Sequence, residues 1–472
     1  MIIKRLPINA KIFMICLLAV VFMLCLPVFA QAADVRVLIG TEAANQQYAL
    51  TGNYQAVDLF TGQVAAEFPS GCTLTAKREG PTIYLLQDGQ QSVSSAVGFS
   101  VTPLADNGRI RYNSLTYRGG FIAIKTISGT GILPVNLVNI ENYLYGVIGY
   151  EIGFSVDAEA LKAQAVASRS YGLAAVSPFN KFYDLKNDDY SQVYKGTMGE
   201  AAEVISAVDA TAGEVIFYGG GSKPQVVKAY FSSNAGGYTE TVANTWSGAT
   251  AADSFAAVAS PYDIYAKEFG EANGLSWPVR QYSWKVNYTA SELEQIASDH
   301  GKNIGNFTEL RTSTSGADGK PTVSGRVTQL EIVGTNGSIT ASKDNIRSFM
   351  GGLRSTMFTV VANAGVYLKD NFGTLAKSHN LSELLIVGFG GEQAKINEGA
   401  GDFYVIGAEG VSLRSKTATS DSVSLVGFGH GHGVGLSQWG ARGMAAEGYD
   451  YRQIIEYYYC STSDFYLGNL EE

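Results

Sequence analysis

The chain has 472 residues, enough for two or three domains, and 46% hydrophobic against 16% charged residues excludes an intrinsically disordered protein. Its 43 acidic residues outnumber 34 lysines and arginines, giving a net charge of −9 with no basic cluster to offset it. Such a surface repels a phosphate backbone, so nucleic acid is excluded as a partner.

Residues 1–33 read as a targeting segment. Lys4, Arg5 and Lys11 precede an apolar run from Ile12 to Phe29, and Ala30-Gln31-Ala32 fits an A-x-A cleavage site. The alternative is an uncleaved anchor, because the run falls just short of the roughly 20 residues that a membrane span needs. Membrane contact is expected only if the segment is retained; either way the chain is exported, being secreted or held at the wall or the outer face of the cytoplasmic membrane. Cleavage removes three positive charges and no negative one, taking the net charge from −9 to −12. It also removes Cys16 and Cys25, leaving Cys72 and Cys460 as free thiols or as one disulfide.

Residues 34–112 form an N-terminal β-rich module. Val35–Ile39, Thr82–Leu86 and Ile110–Tyr112, with Phe121–Thr126 beyond, are short β-branched and aromatic runs separated by Gly, Asn and Asp turns, and they carry packing rather than chemistry. Residues 113–360 hold the strongest patterning. Asn139 is a plausible N-cap, and Leu144, Val147 and Ile148 give the following helix one apolar face. Gly149 and Gly153 bracket a break that leaves Glu151 on the connection rather than inside a helix. A second helix follows, with Asp157 and Glu159 in its first turn, where the dipole favours negative charge, and Ser177-Pro178 to stop it. Its alanines nearly encircle it, so it is buried, and Lys162, Gln164 and Arg169 need a pocket or partners. A carboxylate on a turn beside such a helix makes Glu151 the candidate for chemistry; the other reading is a cap or a salt bridge.

Asp184, Asp188 and Asp189 read as a solvated turn or as shapers of a cation site, and the segment from Asp184 to Tyr194 offers neither thiolate nor imidazole to zinc. Glu214–Tyr218 and Val226–Phe231 read as paired strands around the Gly219–Pro224 turn. The loop after them, Ser232-Ser-Asn-Ala-Gly-Gly237 beside Tyr230, Phe231, Tyr238 and Trp246, suits a carbohydrate, whose hydroxyls want directional partners and whose C–H faces lie on aromatic rings. A hydrogen-bonded turn over an aromatic core is the alternative for Ser232, Ser233 and Tyr238. A helix at Ala290–Ala297, a strand at Val327–Val333 and a short helix at Ser342–Met350 follow. Residues 361–422 read as an inserted or accessory β-rich segment without a functional signal.

Residues 423–472 complete the main domain. Strand Val423–Val426 enters Gly427-Phe-Gly-His-Gly-His-Gly-Val-Gly435, and a helix from about Leu436 to Glu447 closes at Gly448. A dinucleotide fingerprint is excluded because the third glycine is missing and no further βαβ turn follows. His430 and His432 share a face on an extended strand, but no carboxylate triad accompanies them, so neither a metal nor a cofactor is expected. The glycines would admit a substrate to backbone N–H groups at a helix N-terminus. Asp450 and Gln453 read as a capping pair for the last helix. The order of elements predicts an α+β fold, a β-rich core with helices flanking a substrate cleft.

These residues also resemble a family. Glu141-Asn-Tyr-Leu-Tyr-Gly-Val-Ile-Gly-Tyr-Glu151 and Glu159-Ala-Leu-Lys-Ala-Gln-Ala-Val-Ala-Ser-Arg-Ser-Tyr171 look like the signature of the stage II sporulation protein D family, which includes amidase enhancers. Collinear with them are Tyr117-Arg-Gly-Gly120, Gln192-Val-Tyr-Lys-Gly196, Phe231–Glu240, Ser324-Gly-Arg-Val327, Ile346–Phe358 and Gly431–Ala441. The resemblance implies a peptidoglycan lytic transglycosylase acting on glycan stripped of its peptides, with a cell-wall amidase as partner, and it assigns the catalytic place to Glu151. It implies substrate contacts at His432 and the Gly431–Gly435 backbone, Gly433 included, and in the matching motifs at Tyr171, Gln192 and Gln438. Lys162 and Arg169 hold acidic or hydroxyl groups or act as braces. The family's metal-binding Cys and His are replaced here by Tyr190-Ser191, and its usual residues after the glutamate by Ile152-Gly153.

Overall fold

The computed structural model describes residues 33–126, 129–177, 182–188, 191–220, 224–362 and 422–470, with six short strands between 366 and 414. The expected leader, Pro178 and the Asp189–Tyr190 position lie outside the described residues. The chain is α+β and divides into two compact units, one ending at Tyr143 and the other running from Leu144 to Gly468.

The first unit is built from antiparallel strands β1 (Asp34–Leu38), β2 (Asn45–Thr51), β3 (Tyr54–Asp58), β4 (Val64–Phe68), β5 (Thr73–Glu79), β6 (Thr82–Gln87), β7 (Gln90–Ser95), β8 (Gly98–Pro103), β9 (Arg109–Tyr112), β10 (Leu115–Arg118), β11 (Gly120–Lys125) and β12 (Ile132–Asn139). One sheet runs β1-β12-β11-β8-β3-β4 and the other β10-β9-β2-β5-β6-β7. Alternation decides which face is buried: Val35 and Val37, Tyr48 and Leu50, Ile83 and Leu85, Phe99 and Val101 all point inward. Tyr48 of one sheet stacks on Phe121 of the other with ring centroids 3.8 Å apart, so the two sheets share a core. Asp88 and Gly89 both take positive φ in the β6–β7 hairpin, where that backbone matches the strand twist. β12 ends at Asn139, whose Oδ1 accepts the Glu141 N–H at 2.9 Å and starts helix α1 (Ile140–Tyr145), as expected.

The second unit holds α2 (Ile148–Ile152), α3 (Ala158–Ala175), α4 (Ala202–Ala210), α5 (Val242–Thr245), α6 (Tyr265–Asn273), α7 (Ser276–Tyr282), α8 (Ala290–Asp299), α9 (Asn345–Phe349), α10 (Gln438–Ala446) and α11 (Tyr451–Tyr459). α3 is its axle. Asp157 caps it by accepting the Glu159 N–H, and its small residues let α4, α10 and α11 pack around it. Polar groups inside it bond along the helix: Gln164 Nε2 donates to Ser168 Oγ at 3.0 Å, and Ser170 Oγ donates to the Val166 carbonyl at 2.8 Å, while Gln164 Oε1 is buried without a partner among the described residues. α11 carries the capping box foreseen at Asp450 and Gln453.

A second core gathers Trp284, Leu310, Leu330, Ile332, Phe358 and Leu425. Over it lie a sheet in which Ser422–Phe428 runs between Ser283–Thr289 and Phe358–Ala362, another of Phe307–Ser313, Gln329–Gly334 and Gly337–Ser342, and helices α8 and α9. Between 366 and 414 the described strands form three antiparallel pairs.

Two local expectations need correcting. Glu151 is not on the connection but is the fourth residue of α2, because the chain resumes a helical turn at Ile148 before Gly153, at φ 105°, breaks it. The strand expected at Val226–Phe231 is also divided. Only Gln225–Val226 pairs with Glu214–Tyr218, while Phe231–Ser232 pairs in parallel with Leu436–Ser437. That parallel contact joins the Ser232–Gly237 loop to the start of α10.

Candidate active site

The site begins at α2. Glu151 is half-buried, and its Oε1 accepts the backbone N–H of Val193 at 2.7 Å, which ties it to the Gln192-Val-Tyr194 segment. Tyr194 N–H in turn donates to Asn187 Oδ1 at 2.9 Å, and Lys195 N–H donates to the Gly146 carbonyl at 3.1 Å, so that segment is laced to the turn before α2. Tyr171 lies near enough to respond to this carboxylate. Burial first, then the charges of Glu151 and Asp188, push its hydroxyl up to about 12.

Glu151 opens onto a cleft of about 450 Å³. The α2 turn from Gly149 to Val156 makes one wall; Phe269, Leu275 and Trp277 of the α6–α7 hairpin make another. Trp277 is 48% exposed, an unusual state for a large indole in a folded chain. It packs at 5.6 Å against Trp439, which also meets Phe269 at 5.7 Å. Polar groups converge between these rings. Ser233 Oγ donates to Gln281 Oε1 at 3.0 Å, the Trp439 backbone N–H donates to the Ser233 carbonyl at 3.0 Å, and Gln438 and Arg442 complete the lining. An apolar aromatic wall with a few placed amides, a hydroxyl and one carboxylate is suited to a sugar polymer.

The histidine-glycine loop sits behind this lining. His432 Nδ1 accepts the Val434 N–H at 2.9 Å, and its ring packs on Trp246 at 4.8 Å. Burial, then the charges of Arg347 and Arg326, lower its pKa to about 3, so the ring stays neutral and cannot serve as a proton store. His430 faces Arg354, whose Nη1 is 3.2 Å from Nδ1, and burial with the positive Arg354 lowers its pKa to about 4. Gly433 takes φ 77°, and a Cβ there would fall 2.2 Å from Arg326 Nη2. The glycine is therefore required by the buried arginine beneath it, which donates from Nη2 to the Ala235 carbonyl at 2.7 Å. Asp263 anchors the same region: its Oδ1 accepts from Ser437 Oγ, the N-cap of α10, and its Oδ2 from the Gly237 N–H at 2.8 Å.

Of the residues singled out from sequence, Glu151, Ser233 and Gln438 meet in the cleft. Others take structural work. Arg169 is fully buried and donates to the Glu214 and Val208 carbonyls at 3.1 and 3.2 Å, bracing α3 to α4 and the adjoining strand. Lys162 pairs with Glu159 at 2.7 Å, and Glu159 accepts the Tyr451 N–H at 2.9 Å, a brace between α3 and α11. Neither residue is among those that line the cleft. Ser232 is buried, Gln192 is buried, Gly433 lies over Arg326, and Tyr238 bridges to Ala259. Cys72 and Cys460 are both free thiols.

Trp277, Gln281, Phe269, Trp439 and Arg442 were not foreseen as site residues. A sequence signal existed for the last two, whose i,i+3 spacing on a predicted helix puts them side by side. Nothing in the chain order announces that the α6–α7 hairpin faces the Glu151 turn.

Residues 128–218 match the family model described as stage II sporulation protein, and residues 266–377 match a domain of unknown function. Glu151 comes from the first stretch, Phe269, Trp277 and Gln281 from the second. The chain is similar to an uncharacterised protein of Brachyspira hyodysenteriae, 28% identical over 349 residues, which is 74% of this chain and 72% of that protein. It is similar to the amidase enhancer of Bacillus subtilis, 28% identical over 320 residues, 68% of this chain and 40% of the relative. It is also similar to the stage II sporulation protein D of Bacillus subtilis, 27% identical over 195 residues, 37% of this chain and 51% of the relative. The chain therefore spans less than two thirds of the length of the latter two.

Proposed function

We propose that this chain, which belongs to the stage II sporulation protein D and amidase-enhancer family, is an exported lytic transglycosylase that cuts peptidoglycan glycan strands between N-acetylmuramic acid and N-acetylglucosamine. A role at the cell wall is supported by the family and by the two named relatives. The observation that carries the finer reading is that Glu151 is the one carboxyl among the described residues lining the cleft.

Glycosidases that use water or a covalent intermediate need two carboxyls, one as acid and one as base or nucleophile. A single carboxyl suffices if the sugar supplies the nucleophile. Glu151 would give its proton to the leaving glycosidic oxygen as the anomeric C–O bond breaks. The muramoyl C6 hydroxyl oxygen would then bond to the anomeric carbon and pass its proton to the Glu151 carboxylate, closing a 1,6-anhydro ring and restoring the acid. No water is consumed. The Val193 N–H fixes the carboxyl in orientation, and the exposed face of Trp277 with the amides of Gln281 and Gln438 would hold the flanking sugars. Peptide-free glycan incubated with the protein should yield anhydro-muramoyl ends by mass spectrometry, and Glu151→Gln should lower their rate by about 100-fold or more. Undiminished product from that variant would sink the assignment.

The amidase-enhancer relative favours one second reading, a wall-binding protein that stimulates a separate amidase without cutting glycan. It requires that the unmodified chain release no anhydro ends while raising the amidase rate.

A further inference from the structure

Arg442 is the cleft group that the reaction above leaves unused. It stands at i+3 from Trp439 on α10, and because helical side chains lean toward the N-terminus its guanidinium folds back over the indole. The guanidinium carbon lies 3.9 Å from the indole centroid and 5.2 Å from that of Phe269. Stacking fixes the plane of the fork while leaving its N–H edges directed along the ring faces, a geometry that suits a planar two-oxygen acceptor. Among the described residues Arg442 has no hydrogen-bonded or ion-paired partner, although Glu151 lines the same cleft and the chain carries a net charge of −9. Partial burial draws its pKa down from the ordinary value, and a guanidinium remains cationic there at neutral pH. It is also the sole cation among the described residues that line the cleft.

We propose that Arg442 is a specificity-determining residue that holds the free lactyl carboxylate of a muramoyl sugar, so that the cleft selects glycan whose carboxyl is bare over glycan whose carboxyl is tied up in a peptide amide. This rests on the glycan reading given above. A carboxylate presents two oxygens to the stacked fork. A stem peptide converts that group into a neutral amide with one acceptor oxygen and a bulky substituent, and so removes both the charge and the bidentate match. Gln281, Gln438 and Ser233 around the fork then read hydroxyl and acetamido groups.

The test separates binding from chemistry. Calorimetric titrations use the full-length chain carrying Glu151→Gln, so that ligand is not consumed, with two probes: a soluble peptide-free GlcNAc–MurNAc oligosaccharide, and the same oligosaccharide with its muramoyl carboxyls converted to methylamides. Adding Arg442→Gln should weaken the free-acid probe about tenfold or more while moving the methylamide less than about twofold, and Arg442→Lys, which keeps charge but loses the fork, should fall between. Equal losses for both probes would reduce Arg442 to a prop for Trp439, and no loss would remove it from the site; either overturns the proposal. If Arg442→Gln fails to fold, the Arg442→Lys titration with the two probes decides by the same criterion. Carboxylate-dependent binding by a protein whose unmodified form makes no anhydro ends would end the transglycosylase reading and keep the anchor. Equal binding of both probes by the Glu151→Gln chain would end the anchor and keep the reaction, and binding of neither would end both.

Discussion

Asp263 is a fully buried acid whose two oxygens hold the loop after Ser232 and the start of α10 together. Desolvation outweighs its hydrogen bonds and raises its pKa from 3.8 to about 6. The folded chain therefore keeps this proton where the unfolded chain has lost it. The stabilisation is complete below about pH 4, falls as pH rises toward 6, and is gone above that, a change on the order of 2–3 kcal/mol. Asp263→Asn retains the shape but cannot ionise, so thermal melts from pH 4 to 7 should show the parent losing stability relative to the variant across that window. Parallel curves would refute the shift. Asp263 does not stand out in the sequence, since an acid among polar neighbours reads as surface until the fold buries it, and Arg326 is marked only by the Ser324-Gly-Arg-Val327 motif, which says nothing of its burial. Glu151 was legible because its neighbours were patterned; its hydrogen bond to Val193 was not, being made to backbone.

At the level of elements, what could be read was what local chemistry decides. Asn139 and the Asp450–Gln453 pair cap helices because their side chains reach N–H groups two or three residues away, and the alternating runs of β6 and β11 fall where period two puts them. The parallel pairing of Phe231–Ser232 with Leu436–Ser437 joins residues some 200 positions apart, and nothing local encodes it. The same holds for the α6–α7 hairpin that supplies Trp277. α2 was misjudged because glycine marks breaks in general, whereas Gly149 serves packing: a Cβ there would fall 2.2 Å from the Phe154 ring. Gly149→Ala should push Phe154 into the cleft wall beside Tyr150, which it meets edge-on at 5.3 Å. We expect a loss of about 1–3 kcal/mol in stability and a larger relative loss of glycan cleavage, at least about tenfold. Cleavage measured at matched folded fraction checks this, and full activity in a well-folded variant would show that the wall tolerates the shift.

For the whole molecule, export and thiol chemistry can be tested together. The full sequence has four cysteines, of which Cys16 and Cys25 belong to the expected leader. Removal at Ala32 leaves two, and both of these are free thiols. Burial raises the Cys72 thiol pKa, with Asp88 adding to it, and burial with Glu456 pushes Cys460 up to about 11. Since the thiolate is the nucleophile, neither reacts readily at neutral pH in the folded chain. If the chain is exported as the leader predicts, this low reactivity would let it carry two cysteines without a disulfide. Protein collected from outside the cell should therefore give two thiols per chain by alkylation and mass spectrometry under denaturing, non-reducing conditions, and slow, incomplete alkylation when native. Four thiols would mean a retained leader and a membrane anchor. None would mean that Cys72 and Cys460 join as a disulfide, against the two free thiols described here.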